Sequence, residues 1–137
     1  MGANAPDTEG SMSAPNDRRY LQTHEWHLLQ GDTVTIGITQ FAADELTDIT
    51  FVELPQVGTK IEANTPFGEV ESVKATAELY TGVAGTVVAV NPQLKNNPAL
   101  LNRDPYNDGW MLKLKVTDSA ELNKLLSAEE YLKKTGH

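Results

Sequence analysis

The sequence predicts a single, mainly β domain with short flanking α-helices. Three observations carry this reading. Apolar and polar residues alternate with period two in Thr33-Val34-Thr35-Ile36-Gly37-Ile38 and again in 110–116, the pattern of strands that bury a face. Gly, Asn and Pro punctuate the chain at short intervals, as turns between strands require. The length of 137 residues is enough for one domain with a modest core and too short for two ordinary ones.

The elements follow in order. Residues 20–30 read as a strand ending at Gly31-Asp32, and the alternating run from Thr33 returns from that turn, giving a hairpin with one buried face. Within the first limb, alternation puts His24 and Trp26 on one face and Glu25 and His27 on the other. Thr39 is placed to cap a short helix over Gln40–Leu46, where Phe41 and Glu45, or Ala42 and Leu46, share a face. A strand over 49–54 stops at Pro55. Two similar units follow, Val57-Gly58-Thr59-Lys60-Ile61 leading to Asn64-Thr65-Pro66, and Ala84-Gly85-Thr86-Val87-Val88 leading to Asn96-Asn97-Pro98. This echo fits a quasi-twofold layout, with the segment around Lys74 between the halves.

In the last strand Trp110, Leu112, Leu114 and Val116 are expected on the core face, and Met111, Lys113 and Lys115 on the wet one. The C-terminus turns helical. Asp118-Ser119-Ala120-Glu121 and Ser127-Ala128-Glu129-Glu130 both have capping-box spacing, so two short helices joined at Ser127 are expected. The apolar stripe Leu122, Leu125 and Leu126 covers the sheet. Residues 1–16 lack any periodicity and read as a disordered tail; Gly10-Ser11-Met12 resembles a junction ahead of a second start, with a native extension as the alternative. The folded domain is expected over 17–137.

Composition excludes several function classes. Nineteen acidic residues against eleven basic ones give a formal charge of -8, which disfavours nucleic acid and anionic membranes as partners. With no cysteine, the chain has no disulfide, Cys-ligated zinc or thiol nucleophile. No apolar run approaches a membrane span and no charged start leads into a hydrophobic signal core. His24-Glu25-Trp26-His27 lacks the spacing of a zinc helix, and no metal site is expected. No phosphate-cradling loop, nucleophile elbow or dinucleotide fingerprint occurs. The expected role is that of a carrier with no catalytic residue of its own.

The stretch Phe67-Gly68-Glu69-Val70-Glu71-Ser72-Val73-Lys74-Ala75 supplies what is carried. Strand-like residues flank Lys74 on both sides, Phe67, Val70 and Val73 before it and Thr76, Leu79 and Tyr80 after it, which puts the lysine at or near a hairpin tip. An exposed lysine is a protonated ammonium at neutral pH and a poor nucleophile. Acylation of its amine removes the charge and makes the side chain the base of a swinging arm.

Glu71-Ser72-Val73-Lys74-Ala75 closely resembles the lipoylation motif of glycine cleavage system H proteins. The resemblance continues colinearly over about 20–132, through His24-Glu25-Trp26, Val34-Thr35-Ile36-Gly37-Ile38-Thr39, Phe51-Val52-Glu53-Leu54-Pro55, Gly85-Thr86-Val87-Val88-Ala89-Val90-Asn91, Asn102-Arg103-Asp104-Pro105-Tyr106 and Gly109-Trp110-Met111. It implies a lipoyl/biotinyl-domain-like barrel-sandwich hybrid with short flanking helices, and covalent lipoate on Lys74. Glu71, Ser72, Val73 and Ala75 would be the recognition residues around the anchor, and Glu25 and Glu78 candidate contacts of the arm. The implied partners are the P protein (glycine decarboxylase), the T protein (aminomethyltransferase), the L protein (dihydrolipoyl dehydrogenase) and lipoyl-attaching enzymes. The chain would act as a monomer, in a bacterial cytoplasm or, if eukaryotic, in the mitochondrial matrix.

Two departures from the family pattern stand out. Ala77-Glu78-Leu79-Tyr80-Thr81-Gly82 replaces the usual Ser-Asp-(Ile or Val)-Tyr followed by Ala-Pro, which predicts a less rigid exit from the hairpin. Thr47 stands where glycine is common. Three alternatives stay open: a lipoyl carrier or lipoate relay for another complex, a biotin carrier, which the valine and alanine flanking the lysine disfavour, and an unmodified scaffold module.

Overall fold

The computed structural model describes residues 14–135. Among the described residues, nine strands form two antiparallel sheets that face each other across the main core. The strands are β1 (Arg19–Tyr20), β2 (Glu25–Gln30), β3 (Thr33–Ile38), β4 (Ile49–Glu53), β5 (Lys60–Ile61), β6 (Thr65–Ser72), β7 (Thr76–Thr81), β8 (Gly85–Val90) and β9 (Leu112–Val116). One sheet has six strands in the order β1-β2-β3-β9-β8-β5, and the other three in the order β4-β6-β7. Neither closes into a barrel. Helices α1 (Gln40–Leu46), α2 (Gln93–Asn96), α3 (Leu100–Arg103) and α4 (Ala128–Lys134) and a 3-10 turn over Ser119–Lys124 cover the flanks.

Between the sheets, Val34, Ile36 and Ile38 of β3 meet Leu112 and Leu114 of β9, with Val70 and Leu79 arriving from the smaller sheet. The echo between the two Gly-Thr units has a structural basis. Their strands pair directly, Lys60 opposite Thr86 and Ile61 opposite Gly85, and the Gly58 N–H donates to the Val87 carbonyl.

The predicted caps are present. The Thr39 side chain accepts from Ala42 N to start α1, and Ser127 with Glu130 forms a capping box at α4. Between them, Asp118 caps the 3-10 turn in place of an α-helix. Of the expected apolar stripe, Leu122 and Leu125 enter the main core, whereas Leu126 packs with a second cluster and exchanges two backbone hydrogen bonds with Tyr20.

That second cluster corrects the expectation of a single buried face on the first hairpin. Tyr20, Trp26, Ala128 and Tyr131 pack against the far side of the six-stranded sheet, so β3 is buried on both faces. Gly37 lies under the Trp26 ring, where a Cβ would sit 2.6 Å from Cζ2. Residues 21–24 break the first strand, and His24, at φ 83°, stands outside the alternation assumed for it. Trp110 and Met111 also reverse the prediction: the strand begins at Leu112, Met111 is fully buried, and Trp110 is partly exposed. Helices α2 and α3 were unforeseen; the Asn96-Asn97-Pro98 segment expected as a simple turn joins them.

The expectation of a tail over 1–16 falls largely outside the described residues. Within it, Ala14 packs on the second cluster and the Pro15 carbonyl accepts the Tyr20 hydroxyl at 2.6 Å. No helix among the described residues is long and apolar enough to cross a membrane.

Candidate functional site

Lys74 is the middle residue of the three-residue connection, 73–75, between β6 and β7, exposed at the tip of that hairpin of the smaller sheet. The turn is held by its own serine. Ser72 Oγ accepts the backbone N–H groups of Lys74 at 3.1 Å and Ala75 at 3.0 Å, while Ser72 N donates to the Ala75 carbonyl at 2.8 Å. A serine hydroxyl that receives donors two and three residues ahead is the side-chain equivalent of a backbone turn. Sequence reasoning assigned Ser72 to recognition and missed this local role.

A second support comes from outside the hairpin. Val73 N donates to the Asp48 carbonyl at 3.1 Å, in the loop between α1 and β4. Asn102 of α3 fixes that loop: its Nδ2 donates to the carbonyls of Thr47 at 2.6 Å and Ala43 at 3.2 Å, and its Oδ1 accepts from Ile49 N at 3.0 Å. Thr47 has φ 61° and ψ -144°, a conformation that L-residues with a branched Cβ disfavour. A glycine here, which the resemblance leads one to expect, would adopt that backbone without strain.

The exit from the hairpin is tied down, contrary to the expectation of a looser one. Glu25, only 1% exposed, accepts Tyr80 N at 2.8 Å and the Thr23 hydroxyl. His27, also 1% exposed, accepts Gly82 N through Nε2 at 2.9 Å. Alternate side chains of β2 therefore cap alternate N–H donors, one on the outer edge of β7 and one just past its end. The predicted shared face of Glu25 and His27 is what allows this, but a sequence does not say which strand edge that face meets. Burial raises the Glu25 carboxyl to about 7 against the opposing hydrogen bonds from Thr23 and Tyr80. Burial lowers His27 to about 4, with the Glu25 and Arg19 carbonyls pulling the other way.

The remaining predicted residues spread around the anchor. Val73 is 70% exposed beside it, and Ala75 is exposed on the other side. Glu71 projects from β6 opposite Thr76 on one neighbour and Phe51 on the other. Glu78 accepts the Tyr80 hydroxyl at 2.9 Å. Glu78 also borders a cleft of about 230 Å³ between α1 and the hairpin, with Thr23, His24, Phe41, Glu45 and Ala77. Glu25 is on the exit side of β7 and not at the tip. Among the described residues no group of His, Asp and Glu is arranged to hold a metal ion.

A family model described as glycine cleavage H-protein matches residues 18–137. The glycine cleavage system H protein of Bacillus cytotoxicus is 54% identical over 124 residues, spanning 90% of this chain and 98% of that protein. A protein of the same name from Bacillus anthracis is 53% identical over the same shares. Among solved structures, the crystal structure of a glycine cleavage system H protein from Mycobacterium marinum superposes with a TM-score of 0.83 at 37% identity, covering 90% of this chain and all of that one.

Proposed function

The chain belongs to the glycine cleavage H-protein family, and from that premise we propose that Lys74 is the residue on which it carries lipoate, through an amide formed on Nζ. Its role in the glycine cleavage system is that of the lipoyl carrier. The observation that carries the Lys74 assignment is an exposed lysine on a turn whose backbone is held from two sides, by Ser72 and by Asp48. The residues present suit the group. The lysine side chain forms no ion pair among the described residues, so its acylation breaks none.

Bound there, a lipoyl group supplies a dithiolane that takes up glycine's aminomethyl unit and is restored by two-electron oxidation. The chain's own residues perform simpler tasks. Ser72 and Asp48 keep the attachment point still, so that the search for a partner is left to the arm. Glu25 and His27 fix the return strand to the larger sheet. Glu71, Val73 and Ala75, around the lysine, are what a lipoyl-attaching enzyme would read. Glu78, exposed on β7 four residues beyond the anchor, is in position to meet the arm as it folds back. The chain itself catalyses none of the steps, and its partners are the P, T and L proteins.

Intact mass of the chain produced in a lipoylation-competent host, beside Lys74→Arg, tests the assignment. A gain of one lipoyl amide in the first and none in the second is expected. An unmodified native chain, alongside a known lipoyl domain modified in the same cells, would overturn it and leave a scaffold module.

A further inference from the structure

The outward face of the smaller sheet is built against its own stability. Glu53 of β4 is directly opposite Glu69 of β6, which is directly opposite Glu78 of β7. Side chains that are directly opposed in antiparallel strands share a face, so three carboxylates form one row across all three strands. Like charges in such positions repel. Among the described residues no ion pair relieves them, and only Glu78 has a polar side-chain partner, the Tyr80 hydroxyl. The row borders a hollow of about 280 Å³ that extends over Pro66, Phe67 and Gly68.

Further observations indicate what covers this face. The adjacent row contains Phe51, 49% exposed, beside Glu71, so the surface combines an apolar ring with charge, as protein-docking patches do. The carboxylates are not grouped to hold a metal ion; a spread cation such as guanidinium suits a row of separated acceptors better. The row of Phe51, Glu71 and Thr76 leads from the carboxylates toward the tip of the hairpin, where Val73 is 70% exposed next to Lys74. Any enzyme that receives an arm from Lys74 must approach this end.

We propose that this face is the docking surface for a basic patch on an arm-receiving enzyme, which seats an arginine or lysine side chain in the hollow among Glu53, Glu69 and Glu78 and covers Phe51. The inference rests on Lys74 being the arm's attachment point. Exposed charges of this kind speed and orient encounter while leaving complexes short-lived, which is what a carrier visiting several enzymes needs.

The test uses the full chain, with lipoylation checked by intact mass, and the purified P, T and L proteins. Glu53→Gln/Glu69→Gln is compared with wild type and with Glu62→Gln, an exposed carboxylate outside the face. Affinity is read at low and high ionic strength, together with KM and kcat. For at least one enzyme the double variant is expected to weaken binding about tenfold at low salt, to leave kcat unchanged and to flatten the salt dependence. It should also melt at a higher temperature, because repulsion has been removed; a merely structural role would lower it. The Glu62→Gln variant should match wild type. Affinities and salt slopes within about twofold of wild type for all three enzymes would overturn the proposal, as would an equal loss in Glu62→Gln. Intact mass separates the two readings: a native chain that gains no lipoyl group, or a Lys74→Arg chain that still gains one, would defeat the anchor, while docking that still depends on these glutamates would leave the surface standing.

Discussion

Glu25 and His27 grip the same strand edge but titrate in opposite senses, so separating them should split the pH dependence of stability into two opposed slopes. Burial raises Glu25 from 4.5 to about 7 and lowers His27 from 6.5 to about 4. A carboxyl with a raised folded value keeps its proton longer in the native state. Its contribution is intact below 4.5 and is lost as pH rises through about 7. A histidine with a lowered folded value contributes fully above 6.5, and that contribution is lost as pH falls through about 4. In the shared window the native chain holds its proton on Glu25 and the unfolded chain holds one on His27. The proton counts match, and the pair leaves stability nearly flat.

Each shift corresponds to about 3 kcal/mol. Glu25→Gln keeps an acceptor for Tyr80 N and can donate to the Thr23 hydroxyl oxygen, so it removes the titration with little change in packing. Its stability should rise with pH by about 3 kcal/mol across the window. His27→Gln keeps an acceptor for Gly82 N, and its stability should fall by about 3 kcal/mol over the same interval. His24, lowered by burial, acts equally in wild type and both variants and drops out of the comparison. Urea unfolding followed by tryptophan fluorescence at several pH values provides the measurement. Slopes that move in the same direction from the wild-type slope in the two variants would refute the reasoning.

Three further outcomes are expected. Ser72→Ala removes the acceptor for two turn N–H groups and should cost about 1 kcal/mol; amide order parameters at 73–75 and the rate of lipoyl attachment should both fall. Thr47→Gly relieves the strained backbone at φ 61° and should stabilise by about 1 kcal/mol in chemical denaturation, after the added freedom of the unfolded chain. Gly37→Ala drives a Cβ to 2.6 Å from a Trp26 ring that is held by its Nε1–H to the Pro105 carbonyl and by the Arg18 guanidinium over its face; thermal unfolding should report a loss of about 2 kcal/mol.

Local signals in the sequence fared well wherever a few neighbouring residues settle the matter. Thr39 and Ser127 were legible as caps because capping is decided within one turn of chain. The hairpin around Lys74 and the inner face of β9 were legible because alternation specifies a face. The first hairpin was misread because alternation assumes one wet side, and α4, far away in sequence, covers that side with Tyr131 stacked on Tyr20 at 4.9 Å.

The sequence alone determined the mainly β class, the colinear H-protein motifs and the candidate anchor, since each is a property of residue order. Tertiary structure decided what the anchor rests on and what lies around it. Asn102 reaches the turn only through the Thr47 loop, Glu25 and His27 meet β7 across a sequence distance of 55, and Glu53, Glu69 and Glu78 become neighbours only once three strands are in register. A strand pattern fixes which side chains share a face, but the register and the facing sheet are settled by burial of the whole core, and no local run of residues contains that information.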